Sequence, residues 1–119
     1  MVIAISCHEK DYRLCWRLNK ACGLELERCE PDPLNPDVTT AYCFYEEDEH
    51  VSYLLIANRN DKGWLMPKHK HVDYFFTLSD PHHKPLGEIL SSIRGVTNVL
   101  AAFELGLEDP KERGKLILS

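Results

Sequence analysis

The sequence lacks the features that mark membrane and exported proteins. No apolar run approaches the roughly 20 residues that span a bilayer, because Asp, Glu, Lys or Arg interrupts every candidate. The start of the chain offers only the short apolar run from Val2 to Ile5, without the basic leader and cleavage site of a signal peptide. We therefore expect a cytoplasmic protein that does not bind a membrane.

A clustered positive charge is absent as well. The chain has 14 Lys and Arg against 19 Asp and Glu, which gives a formal net charge of -5. Nucleic-acid binding depends on clustered cations that displace the counterions of phosphates. The one basic stretch, at residues 68–71, is short and contains two histidines. The sequence therefore predicts that nucleic acid is not a partner.

Motifs of common catalytic and metal sites are missing too. The sequence shows no phosphate-binding glycine loop, no nucleophile elbow and no C-x-x-C pair. His69 and His71 would project to the same side of an extended chain, but two ligands do not complete a zinc site. We therefore predict no catalytic residue, no bound metal and no cofactor.

The cysteines give a prediction about their redox state. Their number is odd and no export signal accompanies them, so we expect free thiols in a reducing compartment. Free cysteine also behaves as a small buried hydrophobic residue. The five positions are Cys7, Cys15, Cys22, Cys29 and Cys43.

Strand and helix patterns alternate along the chain. Leu86, Ile89, Leu90 and Ile93 have the i, i+3, i+4, i+7 spacing of one helix face. A second amphipathic pattern, at residues 9–22, ends at Gly23, a typical residue just after a helix. Period-2 or compact apolar patterns predict strands at residues 2–7, 24–29, 39–46, 51–58, 72–78 and 96–105.

This order of elements predicts a single α+β domain over residues 1–119. Two helices would pack on one mainly antiparallel sheet. Two strand-helix-strand passages are compatible with a ferredoxin-like core, into which the hairpin of residues 39–58, with its acidic tip, is inserted.

Alternation along two strands predicts which side chains share a face. Phe75 should point away from its neighbours and indicate that both faces of the sheet are covered. The first predicted set is Val72, Tyr74, Phe76 and Leu78, and the second is Val99, Ala101, Phe103 and Leu105.

Residues 66–74 resemble the motif of the IPExxxVDY family, small proteins of Bacteroidota. The positions that agree with the motif are Pro67, Val72, Asp73 and Tyr74, while Met66 and Lys68 stand where the motif has Ile and Glu. The resemblance extends to residues 11–16, Leu18 and Asn19, and to residues 111–118. It implies a bacterial, cytoplasmic setting and supplies no substrate, cofactor or partner.

Asp73 allows two interpretations. In the first, its carboxylate has a structural role and accepts hydrogen bonds from nearby backbone or from an arginine. In the second, Asp73 meets Arg13 and Tyr12 of the first helix in a ligand-binding cluster. Arg13 would then clamp a ligand carboxylate and Tyr12 would donate a hydrogen bond.

Aromatic residues in the predicted sheet favour a protein-binding function. Two short helices would leave part of such a sheet uncovered, and exposed aromatic patches are typical of interfaces. We predict a non-catalytic binding or regulatory module that engages a protein partner or a second copy through Tyr45 and Tyr53. The alternatives are a small-ligand-binding regulatory domain and, third, an enzyme whose site carries no local motif.

Overall fold

An antiparallel sheet of six strands organises the chain in a computed structural model, which describes residues 2–29, 41–46, 51–60, 63–79 and 86–106. The six strands of this sheet are β1 (Val2–Cys7), β2 (Glu27–Arg28), β3 (Ala41–Glu46), β4 (Val51–Ala57), β7 (Tyr74–Ser79) and β8 (Val99–Glu104). Strands β5 (Arg59–Asn60) and β6 (Gly63–Trp64) pair with each other as a separate two-stranded sheet. The helices are α1 (Asp11–Cys22) and α2 (Leu86–Arg94), with a short 3-10 helix at Pro67–His69. The predicted α+β class is confirmed.

The strands of the sheet lie in the order β2-β3-β4-β7-β1-β8, and all neighbours are antiparallel. In consequence β1 runs parallel to β4 with β7 between them, and β7 runs parallel to β8 with β1 between them. These four strands have the order of two split β-α-β units. The hairpin β3–β4 is not a separate insertion, because β4 is itself one of the four.

The two helices cover one face of the sheet. Leu14, Cys15 and Leu18 of α1 are buried, and so is Ile93 of α2. Helix α1 ends at Gly23, which has a φ of 66° in the left-handed region that glycine adopts without strain. In the part of the chain that the structure describes, no helix has the length and apolarity to cross a membrane.

The opposite face of the sheet is covered by the segment 63–73. Phe75 is fully buried there, as its predicted position opposite its neighbours indicated. Leu65, Met66 and Val72 of the covering segment pack on this face. Both faces of the sheet are therefore covered, although only one of them carries helices.

The alternation predicted that Val72 and Tyr74 share a face, and this prediction is wrong. It is fully buried in the cluster of the second face, whereas Tyr74 belongs to the cluster under the helices. Strand β7 begins only at Tyr74, so the period of two does not extend back to Val72.

A bulge changes the predicted faces of the last strand. Cys7 pairs with Val99 while Ser6 pairs with Ala101, so Leu100 has no partner in the ladder. In consequence Val99 packs under the helices, whereas Phe103 packs on the opposite face. The prediction that the odd-numbered residues from Val99 to Leu105 share one face is therefore wrong.

Asn58 holds the covering segment in place. It is fully buried and is the one buried polar residue among those described. Its Nδ2 donates to the carbonyls of His69 and Val72, at 2.9 and 2.8 Å, and its Oδ1 accepts from the Met66 amide at 2.8 Å. Its backbone amide donates to the Asp73 carbonyl, and its carbonyl accepts from the Leu65 amide. One side chain thus satisfies three backbone groups of residues 66–72.

Replacing Asn58 with alanine should lower the free energy of unfolding by about 3 kcal/mol or more. The buried Met66 amide and two carbonyls would lose their partner, and each such loss costs about 1–3 kcal/mol. Urea unfolding measures the change. Tyr45→Ala, at an exposed position, is the control and should shift the free energy by at most about 0.5 kcal/mol. A loss below about 1 kcal/mol for Asn58→Ala would contradict this role.

The expectation of five free thiols is wrong for two of them. Cys29 and Cys43 form a disulfide with a Cα–Cα distance of 5.9 Å, while Cys7, Cys15 and Cys22 are thiols. Cys29 lies beside Ala41 across the β2–β3 edge, which puts Cys43 diagonally opposite. Disulfides persist mainly in oxidising compartments, and the cytoplasmic location stays a prediction.

Removing the disulfide should destabilise the protein because the unfolded chain gains conformational entropy. Closing a loop over a separation of 14 residues contributes about 3 kcal/mol. Cys29→Ser, Cys43→Ser and the double variant should lose equal stability in urea. A reducing agent should lower the urea midpoint of the wild type only. A wild-type midpoint that does not move on reduction would show that no such bond exists.

Candidate functional site

The structure does not bring together Tyr12, Arg13 and Asp73. Asp73 lies beside the end of β1, where its Oδ2 accepts a hydrogen bond from the Cys7 amide at 2.8 Å. Arg13 lies 3.6 Å from the Glu9 carboxylate, and Tyr12 is exposed on the outer surface of α1. Among the described residues no ion pair joins Asp73 to an arginine. The Asp73 carboxylate caps backbone, as in the structural interpretation.

The other residues of the motif segment also have structural positions. Pro67 begins the 3-10 helix, and Val72 is buried against the sheet. The Tyr74 hydroxyl donates to the Glu9 carbonyl at 2.6 Å, and burial is the main cause that raises the pKa of this phenol. The Tyr74 hydrogen bond joins β7 to the segment just before α1.

A partly buried glutamate, Glu9, fixes the segment between β1 and α1. The Glu9 side chain is only 7% exposed and lies 3.8 Å from Arg17. It also accepts a hydrogen bond from Asn98, whose φ of 70° is a conformation that asparagine tolerates. Cys7 lies next to it, and burial raises the pKa of its thiol. A buried thiol that stays protonated is a poor nucleophile.

A second polar cluster joins α1 to the edge of the sheet. The Tyr42 hydroxyl donates to Asp11 at 2.6 Å, and Arg28 of β2 lies 3.8 Å from the same Asp11 oxygen. Burial, followed by the hydrogen bond to Asp11, raises the pKa of Tyr42 to about 12. This cluster holds α1, β2 and β3 in fixed relative positions.

Tyr42→Phe should make stability less dependent on pH under alkaline conditions. The unfolded phenol ionises from about pH 10, whereas the folded phenol stays protonated up to about pH 12. The stability that Tyr42 contributes is therefore complete below pH 10 and is lost as the pH rises through 12. Urea unfolding from pH 8 to 12 should show that the variant is less stable than the wild type at the lower end of this range. Above pH 10 its free energy of unfolding should change less with pH than that of the wild type. Parallel curves would contradict the raised pKa. Tyr74 is present in both proteins and cancels in the comparison.

A groove of about 700 Å³ opens where α1 ends and the chain enters β2. One wall is fixed by Asn19 of α1, whose side chain donates to the Leu26 carbonyl at 3.1 Å and accepts from the Leu26 amide at 2.9 Å. The opposite wall is β3. The groove is lined by Asn19, Leu24, Glu25, Leu26, Glu27, Cys43, Phe44 and Tyr45.

The groove exists because the ladder between β2 and β3 stops early. The Cys29 amide donates to the Ala41 carbonyl, and Glu27 pairs with Cys43. Because the pairs of an antiparallel ladder alternate, the next hydrogen-bonded pair would join residue 25 to Tyr45. That pair does not form, since β2 begins at Glu27. The backbone amide and carbonyl of Tyr45 therefore point into the groove, away from β4.

No family model matches the chain, and neither a curated protein nor a solved structure is significantly similar to it. The likeness of residues 66–74 to the IPExxxVDY motif stays a resemblance.

The two tyrosines predicted for the interface lie on different surfaces. Tyr45 is 67% exposed at the groove. Tyr53 is half-buried under the helices, with its ring centroid 6.3 Å from that of Phe44 and 6.2 Å from that of Phe76. In the structure, therefore, Tyr45 lies at a surface where a partner can bind, and Tyr53 packs in the core cluster.

Sequence reasoning missed the two exposed carboxylates of the groove, Glu25 and Glu27. Their alternation with buried or half-buried Leu24 and Leu26 was the available signal, because residues two apart in an extended segment project to the same side. The sequence did not show that β3 continues past this segment without pairing to it.

The histidines do not form a metal site in the described part of the chain. The rings of His69 and His71 have centroids 6.3 Å apart, and the His71 ring stacks on Phe103. Among the described residues, no group of three or more His, Cys, Asp or Glu side chains is placed to hold a metal ion.

Proposed function

We propose that the protein is a non-catalytic binding module that accepts an extended segment of a partner protein as an added strand in the groove. The observation that carries this proposal is the unused hydrogen-bonding pair of Tyr45, where β3 continues and β2 does not. Peptides that add to a sheet edge gain affinity from such backbone groups and specificity from the neighbouring side chains.

The walls of the groove support this function because they are fixed before a partner binds. The Asn19 side chain holds the Leu26 backbone, and the disulfide joins the end of β2 to Cys43. Tyr42 and Asp11 hold β3 to α1. A binding site that is already ordered loses less conformational entropy when a segment binds, which favours affinity.

The charge of the groove selects the chemistry of the partner. Glu25 and Glu27 are exposed and two residues apart, so both carboxylates face one side of the segment. Tyr45 offers an exposed ring that can contact a cation or an apolar side chain. The proposed partner segment is therefore extended and carries Lys or Arg at alternate positions.

The same charges disfavour a homodimer at this edge. Two copies paired edge to edge would place the carboxylates of one groove near those of the other, and opposed like charges destabilise a strand pair. A different chain is therefore the better partner. The small-ligand alternative depended on a cluster of Tyr12, Arg13 and Asp73, and these three residues lie apart.

Selection of a displayed random peptide library on the purified protein tests the proposal. We expect recovered peptides with Lys or Arg at alternate positions and no proline at their centre. Binding of a selected peptide should protect the Tyr45 amide from hydrogen exchange, since that amide becomes hydrogen-bonded. Protection confined to another part of the chain, or peptides without basic residues, would disprove the proposal.

Variants separate the backbone contribution from the charge contribution. Tyr45→Pro removes the outward amide together with the ring, so Tyr45→Ala, which removes the ring alone, is its reference. Proline is tolerated at sheet edges, and Tyr45→Pro should bind the peptide about tenfold or more weakly than Tyr45→Ala does. The double variant Glu25→Lys, Glu27→Lys should lower the affinity for the peptide by a similar factor. Glu88→Lys, an exposed charge reversal on α2, is the matched control and should leave affinity unchanged. Equal losses of affinity in Tyr45→Pro, the double variant and Glu88→Lys would exclude the groove as the binding site.

A further inference from the structure

A row of aromatic and basic side chains follows the outer surface of α1. Tyr12 and Trp16 are one turn apart and are each 55% exposed. Lys20 follows one turn later, with its Nζ 4.0 Å from the centre of the Trp16 ring. Arg13, also exposed, lies beside them. We call Tyr12, Arg13, Trp16 and Lys20 the α1 outer face.

The α1 outer face has the composition of an interface centre. Trp, Tyr and Arg are the residues most enriched among those that dominate binding energy. The same helix buries Leu14, Cys15 and Leu18 on its inner side, so its packing on the sheet does not require the exposed rings. Large aromatic residues left on a surface are typical of a surface that a partner covers.

The charge of this face is positive although the chain as a whole is negative. Arg13 and Lys20 are exposed, and Lys10 lies exposed just before the helix. The nearby carboxylates are little exposed themselves: Glu9, 7% exposed, lies 3.6 Å from Arg13, whose side chain is still 56% exposed, and Asp11 accepts the Tyr42 hydrogen bond. A net charge of -5 is thus distributed so that this helix surface carries cations.

We propose that the α1 outer face is a second docking surface, for an acidic segment of a partner protein. Carboxylates of that segment would pair with Arg13 and Lys20, and an apolar side chain between them would lie against Tyr12 and Trp16. Charge complementarity selects this occupant. The groove prefers a basic segment, so the two surfaces bind different segments, and this second proposal does not depend on the first.

The test uses two fluorescent synthetic peptides, one of glutamates with interspersed leucines and one of lysines with interspersed leucines. The acidic peptide should bind the full chain, and Trp16→Ala and Lys20→Glu should each weaken it by about tenfold. Tyr45→Pro should leave this affinity unchanged, because it alters only the groove. Leu100→Ala, at a position 64% exposed on β8, is the matched control for loss of an exposed apolar side chain and should change nothing.

Two kinds of result would overturn the proposal. One is an acidic peptide that binds equally well to wild type, Trp16→Ala and Lys20→Glu, or that loses as much affinity in Leu100→Ala. The other is tighter binding of phosphatidylserine vesicles or single-stranded DNA that depends on Trp16 and Lys20, because that would assign the surface to a membrane or to nucleic acid. Circular dichroism and urea unfolding confirm that each variant is folded.

Discussion

The hydrogen bonds of Asn58 are the interaction on which the rest of the architecture depends. They attach residues 65–73 to the end of β4, and this segment then covers the face of the sheet that carries no helix. The same attachment places Asp73 at the Cys7 amide and Tyr74 at the Glu9 carbonyl. A buried amide whose donors and acceptor are all paired specifies a single arrangement, because any other arrangement leaves polar groups without partners.

Because both faces of the sheet are covered, a partner can reach the sheet at its edge or the helices at their outer surface. Within the described residues, the strongly exposed aromatic side chains lie in two places, Tyr45 at the groove and Tyr12 with Trp16 on α1. The first is surrounded by carboxylates and the second by cations. We propose binding at both surfaces, with segments of opposite charge, so that one small domain can hold two different segments. Neither surface requires reaction chemistry.

Local patterns predicted much of the fold and little of the groove. Helix α1 and its end at Gly23 follow from apolar spacing and from the conformational freedom of glycine, and the burial of Phe75 follows from alternation. The bulge at Leu100 and the disulfide of Cys29 with Cys43 did not follow. Both depend on which strands become neighbours, and strands far apart in sequence can pair in many ways.

The sequence alone determined the α+β class, the two amphipathic helices and the central strands, because these follow from periodicities within ten or so residues. The tertiary structure alone decided that β2 pairs with β3 over only two residues and that Tyr53 packs inward while Tyr45 faces the groove. It also decided that Glu9 lies against Arg13 and Arg17 while Lys20 stays exposed. Register and charge placement depend on contacts between residues distant in the chain, and composition and spacing do not encode those contacts locally.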